Sequence, residues 1–583
     1  MERFARQAAN ALSQVLSQPV SAGQIEVPHD AKLGDFAFPC FRLAKEMGKA
    51  PKDASVEIVR LLTEKGALPK SLSVVAVGPY VNFTVAPSEA SHALLGDILK
   101  GDANGDYGRF AGESRGTWII EFSSPNVAKP FMIYHFRPTG LGACLDRVGR
   151  FRGYRMVSIN HLGDWGTQFG KLYVAMKMFG DELPPEPGIQ DLVAIYVKFH
   201  AAIETDSSLE DAGRAAFKRL ENKDPEVTAV WKKCIEISML EFNSLYAKLD
   251  VKFDHVWGES FYEAQLGPLL AKLKSEGLIV QSEGAWIANV TDEKGRELTP
   301  CILEKSDGST IYATRDLAAA LYRHEKFDFD RMTYIVGGEQ RLHFQQLFGI
   351  LRKMGKDWAA KCEHVPTGLY RFKDARMSTR KGNFVTLDDV WSLVKERVSM
   401  LMTERGAAPG ATPAELAEIV DKVSIAAIVF HDLAADPGRD VDFDVERVAD
   451  FEGETGPYLQ YAHTRCLSIL RKANDAGTPL PAYSPAAIER AVSQLKKDEE
   501  IRLVKTLGQL PIHLERTLEH RKASQLANYL IDLVKAYGEF YRECHVLGQA
   551  KELTEARLLL VEATRRILAR GLHLLGIPLP ERM

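Results

Sequence analysis

The sequence predicts an α/β catalytic domain of the doubly wound, Rossmann-like type, preceded by a smaller α+β domain and followed by an all-α helical bundle. Three observations carry this expectation. Buried-strand runs at Trp118-Ile119-Ile120-Glu121-Phe122, Met156-Val157-Ser158-Ile159 and Tyr334-Ile335-Val336-Gly337 alternate with helical stretches. Such alternation belongs to a parallel sheet whose ligands lie at the carboxyl ends of its strands. Before these runs the chain mixes helical with strand-like spacing, and after about residue 391 helical periodicity dominates.

In chain order, the first domain, 1–112, opens with a helix whose apolar residues are Phe4, Ala8, Ala11, Leu12, Val15 and Leu16. A second helix carries Val56, Ile58, Val59, Leu61 and Leu62, and the runs 73–77 and 80–85 read as strands. The turn-rich run Gly101-Asp102-Ala103-Asn104-Gly105-Asp106 marks the boundary. The second domain spans 113–390. Within it, 172–305 reads as an insertion, because helical spacing at Leu192, Ile195, Tyr196, Phe199 and Ala202 runs far beyond the length of a loop. The third domain, 391–583, places Leu526, Tyr529, Leu530, Leu533, Tyr537 and Phe540 on one helix face and Leu560, Ala563, Ile567 and Leu574 on another.

Composition bounds the class. With 583 residues, 45% hydrophobic and 26% charged, the chain is ordinary globular material with room for about three domains. Its long uncharged runs are broken by polar residues, Gly or Pro, so no membrane span and no secretion signal are expected, and a cytoplasmic location follows. The seven cysteines are scattered and never in CxxC spacing, which predicts reduced packing residues rather than disulfides or a zinc site. A net charge of -4 gives no global attraction for nucleic acid, but a local basic track suffices for that.

The chemistry concentrates in two places. Strand 118–122 runs into the polar turn Ser123-Ser124-Pro125-Asn126-Val127-Ala128-Lys129-Pro130 and then a helical stretch with His135, a geometry that points backbone N–H groups at an anion. Alone, such turns usually bind nothing. The second place is the run Arg376-Met377-Ser378-Thr379-Arg380-Lys381-Gly382-Asn383, which with 121–165 frames a nucleotide-dependent site.

Together with Glu121, Asn126 and the stretch Asn160-His161-Leu162-Gly163-Asp164-Trp165-Gly166, that run resembles the catalytic core of class I aminoacyl-tRNA synthetases, and within them the arginyl-tRNA synthetase family. Arg376 to Arg380 stands where that class has its KMSKS loop. The segment Phe451 to His463 resembles the start of the family's anticodon-binding domain, so the resemblance spans the chain. It implies ATP-dependent activation of L-arginine and transfer to the 3' end of a cognate tRNA, with Mg²⁺ accompanying the ATP and no dedicated metal site in the protein. The partners it implies are tRNA(Arg) and L-arginine; a monomer is expected.

The roles implied are specific. Glu121, Tyr312 and Asp316 are expected to take the guanidinium, and Asn126 and Gln340 the α-amino group. Tyr312 and Asp316 stand four apart at the start of a helix and so share a face, and a guanidinium needs carboxylates and further acceptors. His135, Lys129, Arg376, Arg380 and Lys381 are the expected catalytic donors and cations. His135, Gly163, Asp164, Met377 and Ser378 are expected at ATP. For tRNA the expected contacts are Tyr80 and Asn82 at the elbow and Tyr458, Gln460 and Arg465 at the anticodon loop.

One segment departs from the family. Its His-x-Gly-His signature reads Met132-Ile133-Tyr134-His135, so Tyr134 replaces the Gly that lets a nucleotide approach the backbone. Pro138, tolerated in a first helical turn, would cost about 3 kcal/mol in an interior, and Gly140 and Gly142 weaken the same helix. The departure leaves two readings: a working enzyme whose signature has drifted, or a paralogue that binds arginine or tRNA without charging.

Overall fold

The computed structural model describes residues 1–28, 31–100, 106–372 and 385–583. The first helix, Glu2–Leu16, buries Phe4, Ala8, Ala11, Leu12 and Val15 on one face. Nearby, strands β1 (Phe36–Pro39), β2 (Leu72–Val77) and β3 (Tyr80–Val85) form an antiparallel sheet in the order β1-β3-β2. Val77 pairs directly with Tyr80, so Gly78-Pro79 is a two-residue hairpin turn, and Gly78 takes the left-handed φ of 56° that such a turn requires.

The central sheet has five parallel strands: β4 (Thr117–Glu121), β5 (Arg155–Asn160), β6 (His255–Val256), β10 (Arg331–Gly337) and β11 (Cys362–Thr367), in the order β11-β10-β4-β5-β6. The pleat sends Trp118, Ile120 and Phe122 into one core and Ile119 into the other. Helix Ile133–Phe151 covers the first face, and helices Tyr312–Phe327 and Arg341–Lys353 the second. Burial on both faces explains why these strands read as continuous apolar runs.

Within 172–305 the chain makes two excursions rather than one. Helices Ile189–Thr205, Ser208–Glu221 and Pro225–Lys248 come first, and then β6 rejoins the edge of the main sheet. After it, β7 (Val280–Ser282), β8 (Ala285–Ala288) and β9 (Cys301–Glu304) form a separate antiparallel sheet. The carboxyl-terminal part is helical, and its helices at Leu387, Pro413, Gly456 and Pro485 begin on capping Thr386, Thr412, Thr455 and Ser484. A short parallel pair, β12 (Tyr370–Phe372) with β13 (Val441–Phe443), ties this part back to the catalytic domain. No helix among the described residues is long and apolar enough to cross a membrane.

Candidate active site

The strand order reverses between β4 and β10, so a crevice opens at their carboxyl ends, where ligands of such sheets bind. Glu121 ends β4 opposite Tyr334 of β10 and Ile159 of β5. The turn that follows holds three non-glycine residues in the left-handed region: Ser123 (φ 75°), Ser124 (φ 49°) and Ala128 (φ 61°). Such backbone costs roughly 1–3 kcal/mol per residue and persists only where its surroundings over-determine it. Here Ser123 Oγ lies 2.8 Å from the Tyr246 hydroxyl, Ser124 N–H donates to Asn160 Oδ1 (3.2 Å), and Ala128 N–H donates to Ser238 Oγ (2.9 Å).

The turn after β4 is laced to the turn after β5. Val127 N–H donates to the Gly163 carbonyl and Gly163 N–H to the Pro125 carbonyl, both at 3.1 Å. A Cβ at residue 163 would collide with the Asn126 side chain, so Gly163 lets the two halves of the site touch. Asp164 beside it is bound within the protein. Its buried carboxylate accepts from Ser260 N–H (2.9 Å) and the Ser260 hydroxyl (2.6 Å), which commits both oxygens within the protein, against the contact with ATP expected of it.

Helix Ile133–Phe151 points its amino terminus at the crevice. His135 Nδ1 accepts from the Met132 N–H at 3.1 Å, so in the neutral ring the proton sits on Nε2. Burial, and then the Lys129 charge, pull this imidazole down to about 4. Tyr134 is 46% exposed, and its ring lies edge-on to His135 at 4.4 Å. Pro138 is the sixth helical residue, an interior position. Gly142 has a reason of its own: a Cβ there would overlap the buried Phe122 ring.

On the opposite wall, helix Tyr312–Phe327 presents Tyr312 and Asp316 as its spacing predicts. Tyr312 is 53% exposed and packs 4.8 Å from the His343 ring. Asp316 accepts from His343 Nε2 at 2.6 Å and stands 3.4 Å from His161 Nε2. Burial raises the Asp316 carboxyl, but the two imidazoles outweigh it and hold the group well below the usual carboxylate range. Burial likewise lowers His161, and the Glu121 and Asp316 carboxylates more than reverse this, to about 8. Glu121 is buried and ion-paired with Arg323, itself without exposed surface. Gln340 caps helix Arg341–Lys353 at the end of β10.

The site contains residues that carried no assignment from sequence. His343 is one, and Glu259, raised by burial to about 7 and facing His161, Asp316 and Arg315, is another. His161 sits inside the quoted Asn160 to Trp165 run, and Arg323 lies seven residues after Asp316, on the same helix face. Those were the available signals. Lys129 is exposed, and its charge reaches His135. Arg376, Met377, Ser378, Arg380 and Lys381 lie outside the described residues. Their flanks are anchored: Ile133 N–H donates to the Val385 carbonyl and Leu387 N–H to the Phe131 carbonyl, both at 3.1 Å, while Tyr370 donates to Asp432 at 2.7 Å.

Of the residues expected at tRNA, Tyr80 is half-buried beside the exposed Phe41 (5.7 Å), whereas Asn82 is 2% exposed and faces inward from β3. Tyr458 is half-buried, and the half-buried Arg465 donates to the hydroxyl of the exposed Tyr461 (2.5 Å). Gln460 is a correction: it has no exposed surface, and its amide donates to the Lys422 and Pro578 carbonyls, which makes it a tie between chain segments.

Comparison with known proteins follows this layout. The model described as tRNA synthetases class I (R), catalytic domain, matches residues 98–445. The arginyl tRNA synthetase N terminal domain matches 2–85, and the DALR anticodon binding domain matches 459–583. An arginine–tRNA ligase of Exiguobacterium is 38% identical over 585 residues, covering 100% of both chains. One of Clostridium perfringens is 40% identical over 562 residues, 96% of each chain. The solved arginyl-tRNA synthetase of Thermus thermophilus shares the fold with a TM-score of 0.83 at 23% identity over 100% of both chains, and that of Plasmodium falciparum with 0.80 at 23% over 100% and 99%. A parallel sheet with its crevice at β4 and β10, and family matches over nearly the whole length, establish that this chain belongs to the arginyl-tRNA synthetase family of class I aminoacyl-tRNA synthetases.

Proposed function

We propose that this protein is an arginine–tRNA ligase that joins L-arginine to ATP as arginyl-adenylate and passes the arginyl group to the 3' end of tRNA(Arg). The observation that carries the reading is the convergence of Glu121, Tyr312 and Asp316, from two elements, on one crevice beside the amino terminus of the His135 helix. In the first step a carboxylate oxygen of arginine attacks the α-phosphorus and pyrophosphate leaves. In the second a ribose hydroxyl of the terminal nucleotide attacks the acyl carbon and AMP leaves. Neither step needs a protein nucleophile, so the chain's contribution is in-line positioning and donors aimed at the developing phosphate charge.

The residues divide that work. Asp316 and the remaining oxygen of Glu121 receive the guanidinium with the Tyr312 phenol, and Asn126 and Gln340 receive the α-amino group. His135, neutral at pH 7, offers its Nε2–H to the α-phosphate as a hydrogen-bond donor and not as a charge. Lys129, Arg376, Arg380 and Lys381 supply the cations, Gly163 borders the ribose, and Met377 and Ser378 face the adenine. Mg²⁺ enters with ATP as part of the substrate. Tyr80 meets the tRNA elbow, and Tyr458 and Arg465 the anticodon loop. The protein acts as a cytoplasmic monomer.

The test is aminoacylation of tRNA(Arg) with labelled arginine and MgATP, beside Asp316→Ala and a tRNA-binding control. Charging by the unmodified protein that is lost in the variant is the expected result. Tight tRNA binding with no charging by the unmodified protein would overturn it in favour of a binding paralogue.

A further inference from the structure

Two turns beyond Asp316, on the same helix, Arg323 is buried at the base of the arginine pocket with no exposed surface. Each of its three guanidinium nitrogens has a close polar neighbour. Nη1 is paired with Glu121 Oε2, Nε donates to the Tyr262 hydroxyl at 3.3 Å, and Nη2 lies 3.3 Å from His161 Nδ1. The Tyr262 and Tyr334 rings flank it at 5.8 and 5.9 Å. A buried ion pair costs several kcal/mol per ion in desolvation, and an apolar pair of similar volume is often as stable. Stability alone therefore gives little reason for a permanent cation under a pocket that must itself accept a guanidinium.

Geometry supplies a reason. Glu121 has a second oxygen, Oε1, with no partner among the described residues, while Oε2 is committed to Arg323. A carboxylate free on both oxygens can rotate about its last bond, and unpaired it would make the pocket a deep well for any cation. We propose that Arg323 is a positioning and specificity-determining residue for arginine: it fixes the Glu121 carboxylate with Oε1 toward the substrate and cancels its charge. Across from it Asp316 is held in the same way, by His343 Nε2 at 2.6 Å and His161 Nε2 at 3.4 Å. A planar fork of donors can engage Oε1 and Asp316 together, whereas the compact ammonium of lysine, a single point donor, does not span the two acceptors.

This deepens the arginine-pocket reading and rests on it, so the experiment separates the two. Arginine binding by calorimetry, and aminoacylation kinetics for arginine, ATP and tRNA, are measured on the unmodified protein, Arg323→Lys, Arg323→Met and the double variant Glu121→Gln/Arg323→Met. Arg323→Lys keeps the charge and loses the fork, and it raises KM for arginine at least about tenfold while KM for ATP and tRNA stay within about twofold. Arg323→Met leaves Glu121 unpaired and narrows the arginine-over-lysine preference by about tenfold or more. The double variant recovers the melting temperature lost in Arg323→Met but not the arginine affinity. An unchanged arginine KM in Arg323→Lys, or a parallel loss of all three KM values that tracks melting temperature, would overturn the proposal. Should Arg323→Met fail to fold, the lysine variant decides. An unmodified protein that neither binds nor charges arginine would overturn the pocket reading and this proposal together; normal charging with an unaffected Arg323→Lys would overturn this proposal alone.

Discussion

His135 shows how much one hydrogen bond decides. Because Nδ1 accepts the Met132 N–H, the ring is held as the Nε2–H tautomer, and burial keeps it neutral down to about pH 4. In the proposed role it is an aimed donor, a kind of group whose removal typically lowers kcat by about 10²–10³. His135→Ala is expected to lose that much kcat in aminoacylation assays with KM for arginine little changed, and His135→Gln, which keeps an N–H donor, to lose less. A loss confined to KM for arginine would contradict this role. In the departed signature beside it, the half-exposed Tyr134 ring lies against the imidazole. Legibility at this scale was uneven: the shared helix face of Tyr312 and Asp316 was visible from spacing, whereas the partners of Asp316 (His343 and His161), of Asp164 (Ser260) and of Gln460 (backbone carbonyls) were not. Spacing does not reveal a side chain's partner far along the chain.

At the scale of elements, the helix Ile133–Phe151 carries more than its sequence promises. It contains Pro138, Gly140 and Gly142, residues that lower helix propensity, yet it is the central covering helix of the sheet. Tertiary contact overrides propensity here. Gly142→Ala would improve the isolated helix, but its Cβ overlaps Phe122, so we expect destabilisation of about 1–3 kcal/mol in denaturant unfolding. A stabilised protein would show that Phe122 yields. The same helix is bolted to the carboxyl-terminal part by Arg137, whose Nε pairs with Asp432 at 2.8 Å while Tyr370 donates to the same carboxylate, the two charged side chains being 2% and 3% exposed. Arg137→Met strands a buried carboxylate and should cost about 3–5 kcal/mol, most of it recovered when Asp432→Leu is added. Failure of the second change to restore the unfolding midpoint would mean that the pair does more than compensate itself. Strands β6 and β13, two and three residues long, escaped the sequence because runs so short carry no period.

Over the whole molecule, three imidazoles set the response to acid. His135, His463 and His513 are each held at about 4, chiefly by burial. Unfolded, they would titrate near 6.5, so between these values the unfolded chain binds more protons than the folded one. Stability from this source is complete above pH 6.5 and is lost as pH falls through 4, by roughly 3 kcal/mol per fully buried ring. Near-ultraviolet circular dichroism from pH 7 to 4 should show loss of tertiary structure within that window. His463→Phe with His513→Phe should move the midpoint to lower pH, and an unmoved midpoint would assign acid unfolding to other groups. Neither ring nitrogen of His463 has a partner among the described residues, which makes it the first of the three to examine.

What the sequence determined by itself was periodicity and order: three kinds of domain in sequence, buried parallel strands, helix faces such as Leu526 to Phe540, and the residue types grouped at one catalytic centre. These follow from local spacing and are legible wherever an element is long enough to repeat its pattern. Only the tertiary structure decided which charges meet. Glu121 on a strand and Arg323 on a helix are 202 residues apart, and Asp316 reaches His161 and His343 from a third and fourth segment. The physical reason is that burial and Coulomb pairing depend on distances that chain folding alone creates, and those distances set which side chains of the pocket remain free for a substrate.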